Sequence, residues 1–232
     1  MKLKKNYLTI YYLLLYLSLV LGFFIGEDFA GGFEYDYKIH IKLIDDLFKN
    51  SLIYGLFNYD KNYVPHSPIF IIYLVVFKKL FFSEEIFRFV NLHIFLLIPW
   101  LTSICLKTKY NLQKNDIRLL FPSIFFLSPY FRSGAIWTDD NIFAIIFFLV
   151  SVLSFIKYEK NKSEFKYIFY CAFFLALTSY FRPIYCLFSI YFTTIFFIDL
   201  KFSKKFFYYV VINILFAFPA FYYVFILEIN KW

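Results

Sequence analysis

Long apolar blocks follow one another along almost the whole chain, and no other feature restricts its fold so strongly. The chain is 62% hydrophobic, whereas a soluble globular domain has about 45–50% apolar residues. Several blocks approach the roughly 20 residues that cross a bilayer as a helix. The blocks fall at residues 7–26, 67–82, 86–106, 118–131, 139–157, 165–181, 183–199 and 206–228. We therefore predict an all-α polytopic membrane helix bundle of about seven to eight apolar helices, which forms a single integral membrane domain over residues 1–232.

The polar segment 27–66 separates the first two apolar blocks and contains an amphipathic pattern. Residues 36–58 place apolar side chains on one helical face and charged side chains on the other. The apolar positions are Leu43, Ile44, Leu47 and Phe48, and the polar positions opposite them are Lys42, Asp45, Asp46, Lys49 and Asn50. This pattern predicts a long first external loop whose helix lies on the membrane surface.

Lysine and arginine residues gather in four clusters that predict the topology. The clusters lie at residues 2–5, 107–118, 157–166 and 201–205. Because such residues stay in cytoplasmic loops, the segments predicted to lie outside are 27–66, 130–141 and 181–183. This assignment requires an odd number of crossings between residues 66 and 107, although two apolar blocks lie there. We therefore predict that the short block 67–82 is re-entrant or half-buried and does not cross.

The positive net charge and the cysteines have simple explanations. The net charge of +8 is expected of a membrane protein with basic cytoplasmic loops. No basic strip or recognition motif accompanies it, so we predict no nucleic-acid partner. Cys105, Cys171 and Cys186 lack the spacing of metal ligands and sit within or beside apolar blocks, where cysteine behaves as a small buried hydrophobe.

Two groups of acidic residues are predicted to face the same side of the membrane at the ends of helices. One group contains Asp28 and Asp36, and the other contains Asp139 and Asp140. Carboxylates at a membrane boundary are costly unless they are hydrated or paired, so they tend to mark function. One can act as a general base, and Asp140 is the candidate ligand of a divalent metal. The alternative is that Asp36 and the pair 139–140 cap the helices that follow them.

Residues 128–158 resemble the second acidic loop of the C-type glycosyltransferases. In the oligosaccharyltransferase catalytic subunit, an Arg-Ser pair precedes an acid-Asn pair and the next span. Here Arg132-Ser133 and Asp140-Asn141 stand in that order. The long first external loop, entered through acidic residues, is the second feature shared with this superfamily.

Residues 66–91 are similar to the protein-mannosyltransferase and aminoarabinose-transferase branch of that superfamily. Its His-Pro-Pro-Leu-like start, later acid and arginine are matched by His66, Pro68, Glu85 and Arg88. A serine replaces the first proline, and the usual glycine before the acid is absent. The Glu85 and Arg88 side chains also lie one helical turn apart and are placed to pair with each other. The resemblance covers about residues 1–200, and since family members are usually longer, we expect a partial copy.

The resemblance implies a multi-span enzyme that transfers a sugar from a polyprenyl-phosphate-linked donor to a lipid, glycan or protein acceptor. It implies the outer face of a bacterial inner membrane or the endoplasmic reticulum lumen, and we predict the former, with the site facing the periplasm among membrane lipids. Asp36 is predicted to be the catalytic base, with Asp28 as its rival. Asp140, with or without a divalent metal, is predicted to act at the phosphate leaving group of the donor.

Further side chains are predicted to bind the substrate. They are His40, His66, Arg132, Arg182 and Asp139. His40 follows Asp36 by four residues and shares its helical face, and arginine suits the geometry of a phosphate. The alternatives are a structural histidine and arginines that extend toward lipid headgroups.

Two other functions compete with the enzyme. A transporter or flippase of lipid-linked glycans would need polar residues at the bilayer midplane, often with inverted repeats. The acids lie at helix ends instead, and the sequence shows no internal repeat. A non-catalytic membrane remnant is the second alternative.

Overall fold

The computed structural model describes residues 7–48, 51–59, 67–81 and 83–226, which are mostly helical and contain no strand. The α-helices are α1 (Tyr7–Phe24), α2 (Phe33–Phe48), α3 (Leu52–Phe57), α4 (Ile69–Leu80), α5 (Glu84–Phe95), α6 (Leu97–Tyr110), α7 (Ile124–Leu127), α8 (Pro129–Ile136), α9 (Asp140–Lys160), α10 (Phe165–Phe181), α11 (Leu187–Leu200) and α12 (Lys204–Phe221). Short 3₁₀ helices at Ile117–Ser123 and Pro183–Cys186 and a π-helix at Tyr222–Ile226 complete the described chain. The prediction of an all-α bundle is confirmed.

Within the described residues, five helices are long and apolar enough to cross a membrane. They are Tyr7–Phe24, Glu84–Tyr110, Asp140–Lys160, Pro183–Leu200 and Lys204–Phe221. A bent pair, Ile117–Leu127 and Pro129–Ile136, would supply a sixth, and α10 is a shorter apolar helix of 17 residues. These lengths and compositions are those of a membrane protein.

The block predicted at residues 118–131 is a broken helix. Its two halves meet at an angle of 63°. Pro122 lies inside the 3₁₀ helix, and Pro129 is the first residue of α8. Because a residue before proline disfavours helical dihedrals, Ser128 is extended, with φ −76° and ψ 121°. The bend therefore has a local cause in the sequence.

Residues 107–118, 157–166 and 199–205 meet at one end of the bundle, which we call the lysine end. The contacts there include the ion pairs Lys109–Glu159 and Lys162–Asp199 and the hydrogen bonds from Lys160 Nζ to Asn111 Oδ1 and from Lys205 Nζ to the Ser163 carbonyl. Three of the four predicted basic clusters therefore share one end. The cluster at residues 2–5 lies outside the described residues.

Residues 24–48, 132–141 and 181–183 meet at the other end, which we call the acidic end. Both ends of α4 contact this region: Ser67 Oγ donates to the Tyr180 carbonyl at 2.6 Å, and Lys78 pairs with Asp45 at 2.9 Å. With 12 residues, α4 is about 18 Å long, whereas the hydrocarbon core is about 30 Å thick. This geometry agrees with the prediction that block 67–82 does not cross.

The amphipathic helix is α2, and it differs in length from the prediction of residues 36–58. It begins at Phe33 and ends at Phe48, and α3 follows as a separate helix. Ser51 causes the break because its extended backbone starts α3 and its hydroxyl accepts a hydrogen bond from Tyr54 N–H at 3.0 Å. The predicted faces are confirmed where side chains are described: Leu43 and Ile44 are buried, and the charged neighbours on either side are exposed.

Two of the three cysteines are buried, as predicted, and the third is not. Cys105 and Cys171 lie in the interior, whereas Cys186 is exposed. Cys186 ends the 3₁₀ turn that begins at Pro183. No residue of this turn is buried.

Candidate functional site

Glu27 and Arg132 form a buried ion pair that joins the end of α1 to α8. Arg132 Nη2 and Nε lie 2.5 and 2.6 Å from the two carboxylate oxygens of Glu27. The Glu27 side chain is 3% exposed and that of Arg132 is 13% exposed. Arg132 also donates to Ser18 and to the carbonyl oxygen of Phe126. The guanidinium predicted to bind substrate thus has several partners within the protein, and its binding role stays a prediction.

Gly22 leaves the space that this ion pair occupies. A Cβ atom on Gly22 would lie 2.9 Å from Arg132 Nη2 and closer still to Glu27 Oε2. The carbonyl of Gly22 accepts a hydrogen bond from Glu27 N–H at 2.9 Å, which turns the chain so that the carboxylate folds back over α1. A glycine is therefore required one turn before the acid.

Asp28, the rival candidate for the catalytic base, helps to start α2. Its Oδ2 accepts a hydrogen bond from Glu34 N–H at 3.2 Å, which satisfies one of the free donors of the first helical turn. Its Oδ1 is buried and has no hydrogen-bond partner. Asp28 therefore has a structural role, and its catalytic role stays a prediction.

Asp139, Asp140 and Arg182 form a second buried charged group, between the start of α9 and the end of α10. Arg182 Nε lies 2.6 Å from Asp140 Oδ1, and Arg182 Nη2 lies 3.4 Å from Asp139 Oδ2. The two aspartates are only 6% and 1% exposed. Asp139 is also the N-cap of α9, because its Oδ1 accepts from Asn141 N–H at 2.9 Å. Two carboxyl groups therefore share one guanidinium.

A strained residue holds this group in place. Thr138 has φ +55°, which is unusual for a β-branched side chain. Its hydroxyl is buried without a hydrogen-bond partner. The backbone turn at Thr138 allows Trp137 to point toward Glu27 while Asp139 caps α9. Strain of this kind tends to occur at functional sites.

Asp36, the predicted base, lies exposed in the first turn of α2. This turn packs beside the second charged group, because the Phe33 ring and the Cβ of Asp139 both lie 3.4 Å from the place that a Cβ atom on Gly134 would take. The pKa of Asp139 is raised, mainly by burial. The positive charge of Arg182 lowers this pKa, and the negative charge of Asp36 raises it further. The two acidic segments predicted to share one side therefore do lie together. An exposed carboxylate at the edge of a buried charged group can accept a proton from a bound hydroxyl or amine.

The predicted histidine and metal sites receive less support from the geometry. The ring of His40 packs edge-on against Phe70, with the centroids 5.3 Å apart. His66 lies outside the described residues. Among the described residues, no three His, Cys, Asp or Glu side chains are placed to hold a metal ion. The divalent metal at Asp140 stays a prediction without a formed set of ligands.

Arg88 takes part in a cluster that the sequence did not reveal. Its guanidinium carbon lies 3.5 Å from the centroid of the Trp137 ring, and its Nε donates to the Ile136 carbonyl at 3.2 Å. The Trp137 indole N–H donates in turn to the carbonyl of Glu27 at 3.1 Å. Among the described acids, none forms an ion pair with Arg88, so the pairing with Glu85 allowed by their spacing is absent. The cation–π contact with a tryptophan 49 positions away has no local sequence signal.

Buried polar atoms without a hydrogen-bond partner gather at the acidic end. Of the eight such atoms among the described residues, seven belong to side chains that lie in or pack against this end. They are Asp28 Oδ1, Tyr37 OH, Tyr59 OH, Arg88 Nη2, Thr138 Oγ1, Asp140 Oδ1 and Arg182 Nε. The last two are the ion pair at 2.6 Å, which is close but not aligned as a hydrogen bond. Buried polar atoms without a partner are rare in protein interiors.

Comparisons with known proteins found no relative. No family model matches the chain, and neither a curated protein nor a solved structure matches it. The likeness to C-type glycosyltransferases therefore stays an interpretation of the sequence motifs.

Proposed function

We propose that the protein is a membrane glycosyltransferase that moves a sugar from a polyprenyl-phosphate-linked donor to a lipid, glycan or protein acceptor. The observation that carries this proposal is the exposure of Asp36 in the first turn of α2, a turn that packs beside the buried group of Asp139, Asp140 and Arg182. A site at the end of a membrane bundle can reach the phosphate and sugar of a donor whose lipid tail stays in the bilayer. The basic clusters at the opposite end favour an orientation with the acidic end outside.

In the proposed reaction Asp36 accepts the proton of the acceptor hydroxyl or amine. The acceptor oxygen or nitrogen forms a bond to the anomeric carbon, and the bond from that carbon to the phosphate oxygen breaks. The released products are the glycosylated acceptor and the polyprenyl phosphate. Asp139 and Asp140 fix Arg182 beside the reacting groups, because both carboxylates contact its guanidinium.

Arg88 is the cation best suited to the phosphate of the donor. Arg132 faces one carboxylate and Arg182 faces two, so the positive charge of each is already balanced. Arg88 stacks on Trp137 and keeps one nitrogen, Nη2, without a partner. It also lies over the ring of Tyr37, the residue that follows Asp36. A planar guanidinium with a free donor matches phosphate geometry.

The test uses purified full-length protein in proteoliposomes with a panel of polyprenyl-phosphate sugars, and it measures release of polyprenyl phosphate by mass spectrometry. Asp36→Asn is expected to lower kcat by about 10²–10⁴, the usual effect of removing a general base. Asp45→Asn is the matched control, since it makes the same change at an exposed site of the same helix. We expect the control to keep its rate within about twofold.

A second variant tests the phosphate site. Arg88→Gln is expected to raise the KM of the donor more than it lowers kcat, because the phosphate is present in both the ground state and the transition state. Equal rates for Asp36→Asn and Asp45→Asn would remove Asp36 as the base. Failure of the unmodified protein to release polyprenyl phosphate from any donor would overturn the glycosyltransferase proposal itself.

A further inference from the structure

An apolar groove runs along the outside of the bundle between α1 and α6, in the half nearer the lysine end. Its volume is about 490 Å³. The 3₁₀ helix Ile117–Ser123 and α7 contribute its floor. Its apolar lining includes Leu8, Leu13, Leu96, Pro99, Trp100 and Phe126. The groove exists because α1 buries little of its surface, with only 11% of its residues inside.

Three polar side chains that line the groove, Tyr12, Tyr16 and Ser103, have partners within the protein. Tyr12 OH donates to the Leu119 carbonyl at 2.7 Å, and Ser103 Oγ donates to the Pro99 carbonyl at 2.8 Å. Tyr16 OH is hydrogen-bonded to a ring nitrogen of His93 at 2.9 Å. The groove therefore presents mainly hydrocarbon surface to whatever occupies it.

Lys107 lies at the end of the groove and differs from its neighbour Lys109. The exposed Lys107 side chain lines the groove, and no described acidic side chain forms an ion pair with it. Lys109 lies two residues later on another face of α6 and pairs with Glu159. An unpaired ammonium group at the end of an apolar groove is complementary to a hydrocarbon chain that ends in an anionic headgroup.

The length of the groove corresponds to one leaflet of a bilayer. From Leu96 to Lys107 the helix advances by about 16 Å at its usual rise per residue. This is roughly half of the 30 Å hydrocarbon core. One acyl chain of a lipid in the leaflet at the lysine end therefore matches the groove in length, with its phosphate at the level of Lys107.

We propose that this groove binds an anionic phospholipid, with one acyl chain against Trp100 and Pro99 and the headgroup phosphate on Lys107. The site lies in the opposite half of the bundle from Asp36 and does not depend on the function proposed for the acidic end. Its occupant would fill the gap that α1 leaves and hold α1 against the bundle.

The test is native mass spectrometry of the full-length protein released from mixed micelles that contain dioleoyl phosphatidylglycerol or dioleoyl phosphatidylcholine. The phosphatidylglycerol is expected to bind tightly as one retained molecule, and the phosphatidylcholine, which has the same chains and no net charge, is expected to bind at least fivefold more weakly. Lys107→Ala should weaken phosphatidylglycerol binding by about fivefold, the usual effect of one lysine near an anionic headgroup. Lys109→Ala, which removes a lysine outside the groove, should change it by less than about twofold.

A second pair of variants tests the acyl chain. Ser103→Phe places a ring in the groove and should abolish retention although Lys107 is intact, and Ser103→Leu, which adds less bulk, should reduce it. Equal losses for Lys107→Ala and Lys109→Ala would overturn the proposal, because they would show attraction by the general surface charge. Equal retention of the two lipids, or full retention by Ser103→Phe, would overturn it as well.

Discussion

The most deeply buried ion pairs of the described residues lie at the acidic end of the bundle, whereas the ion pairs described at the lysine end are more exposed. At the acidic end the Glu27 side chain is 3% exposed beside Arg132, whereas at the lysine end Lys109 and Glu159 are 45% and 35% exposed. An exposed pair contributes about 0–1 kcal/mol, but a buried charge left without its partner costs about 3–5 kcal/mol. The difference teaches that the charges at the lysine end keep their contact with solvent, while the buried charges at the acidic end fix the positions of particular side chains.

The packing of the two ends differs in the same way. The larger apolar core lies around the acidic end and draws residues from far apart in the chain, among them Leu19, Tyr37, Leu74 and Phe143. The smaller core draws on α9 to α12, which follow one another in sequence. The acidic end is therefore the part of the molecule where the segment 27–48 is held against later helices.

The largest effect on stability is expected when the Glu27–Arg132 pair is broken. Arg132→Ala leaves the Glu27 carboxylate buried without a partner, so the free energy of unfolding should fall by about 3–5 kcal/mol. The measurement is denaturant unfolding of the purified protein in detergent micelles. The double variant Glu27→Gln with Arg132→Met removes both charges and should recover at least half of the loss. Equal losses in the single and double variants would show that packing, not charge, holds the two segments together.

A smaller loss is expected at Gly22, where the same pair limits the available space. Gly22→Ala places a methyl group against Glu27 and Arg132, and overpacking of this kind costs about 1–3 kcal/mol. Leu21→Ala, at an exposed neighbouring position of α1, is the control. Gly31→Ala would be a poor control, because Gly31 has a φ of +74°, which a residue with a side chain rarely adopts. In the same unfolding assay Leu21→Ala should stay within about 0.5 kcal/mol. An equally small change in the free energy of unfolding for Gly22→Ala would mean that Arg132 packs less closely against α1 than the structure shows.

The smallest effect is expected at the lysine end. Lys109→Ala breaks the pair with Glu159 and should change the free energy of unfolding by less than about 1 kcal/mol, and less still in high salt. The same micelle unfolding assay, repeated at low and high salt, provides the check. A loss of stability as large as that of Arg132→Ala would show that the ion pairs of the two ends do not differ in their contribution.

Much of the candidate site could be predicted, because charge and hydropathy are properties of a residue and its near neighbours in the sequence. The basic clusters predicted that residues 27–66, 130–141 and 181–183 share one side, and the structure places the first turn of α2, which contains Asp36, beside Asp139 and Arg182. The partners of these side chains could not be predicted. Arg132 and Arg182 were equivalent candidates for a phosphate, yet each is joined to carboxylates of this chain.

The sequence by itself determined that this protein is a bundle of apolar helices, that α2 is amphipathic and that three basic clusters lie at the end away from Asp36, Asp139 and Asp140. These properties follow from the free energy of transferring each residue from water to lipid. This free energy depends on the residue and its near neighbours in the sequence. Only the tertiary structure decided that Glu27 meets Arg132 across 105 positions, that Trp137 lies under Arg88 and that a groove opens beside Lys107. These contacts depend on how the helices pack and on which buried charges must find partners, and neither is encoded at short range.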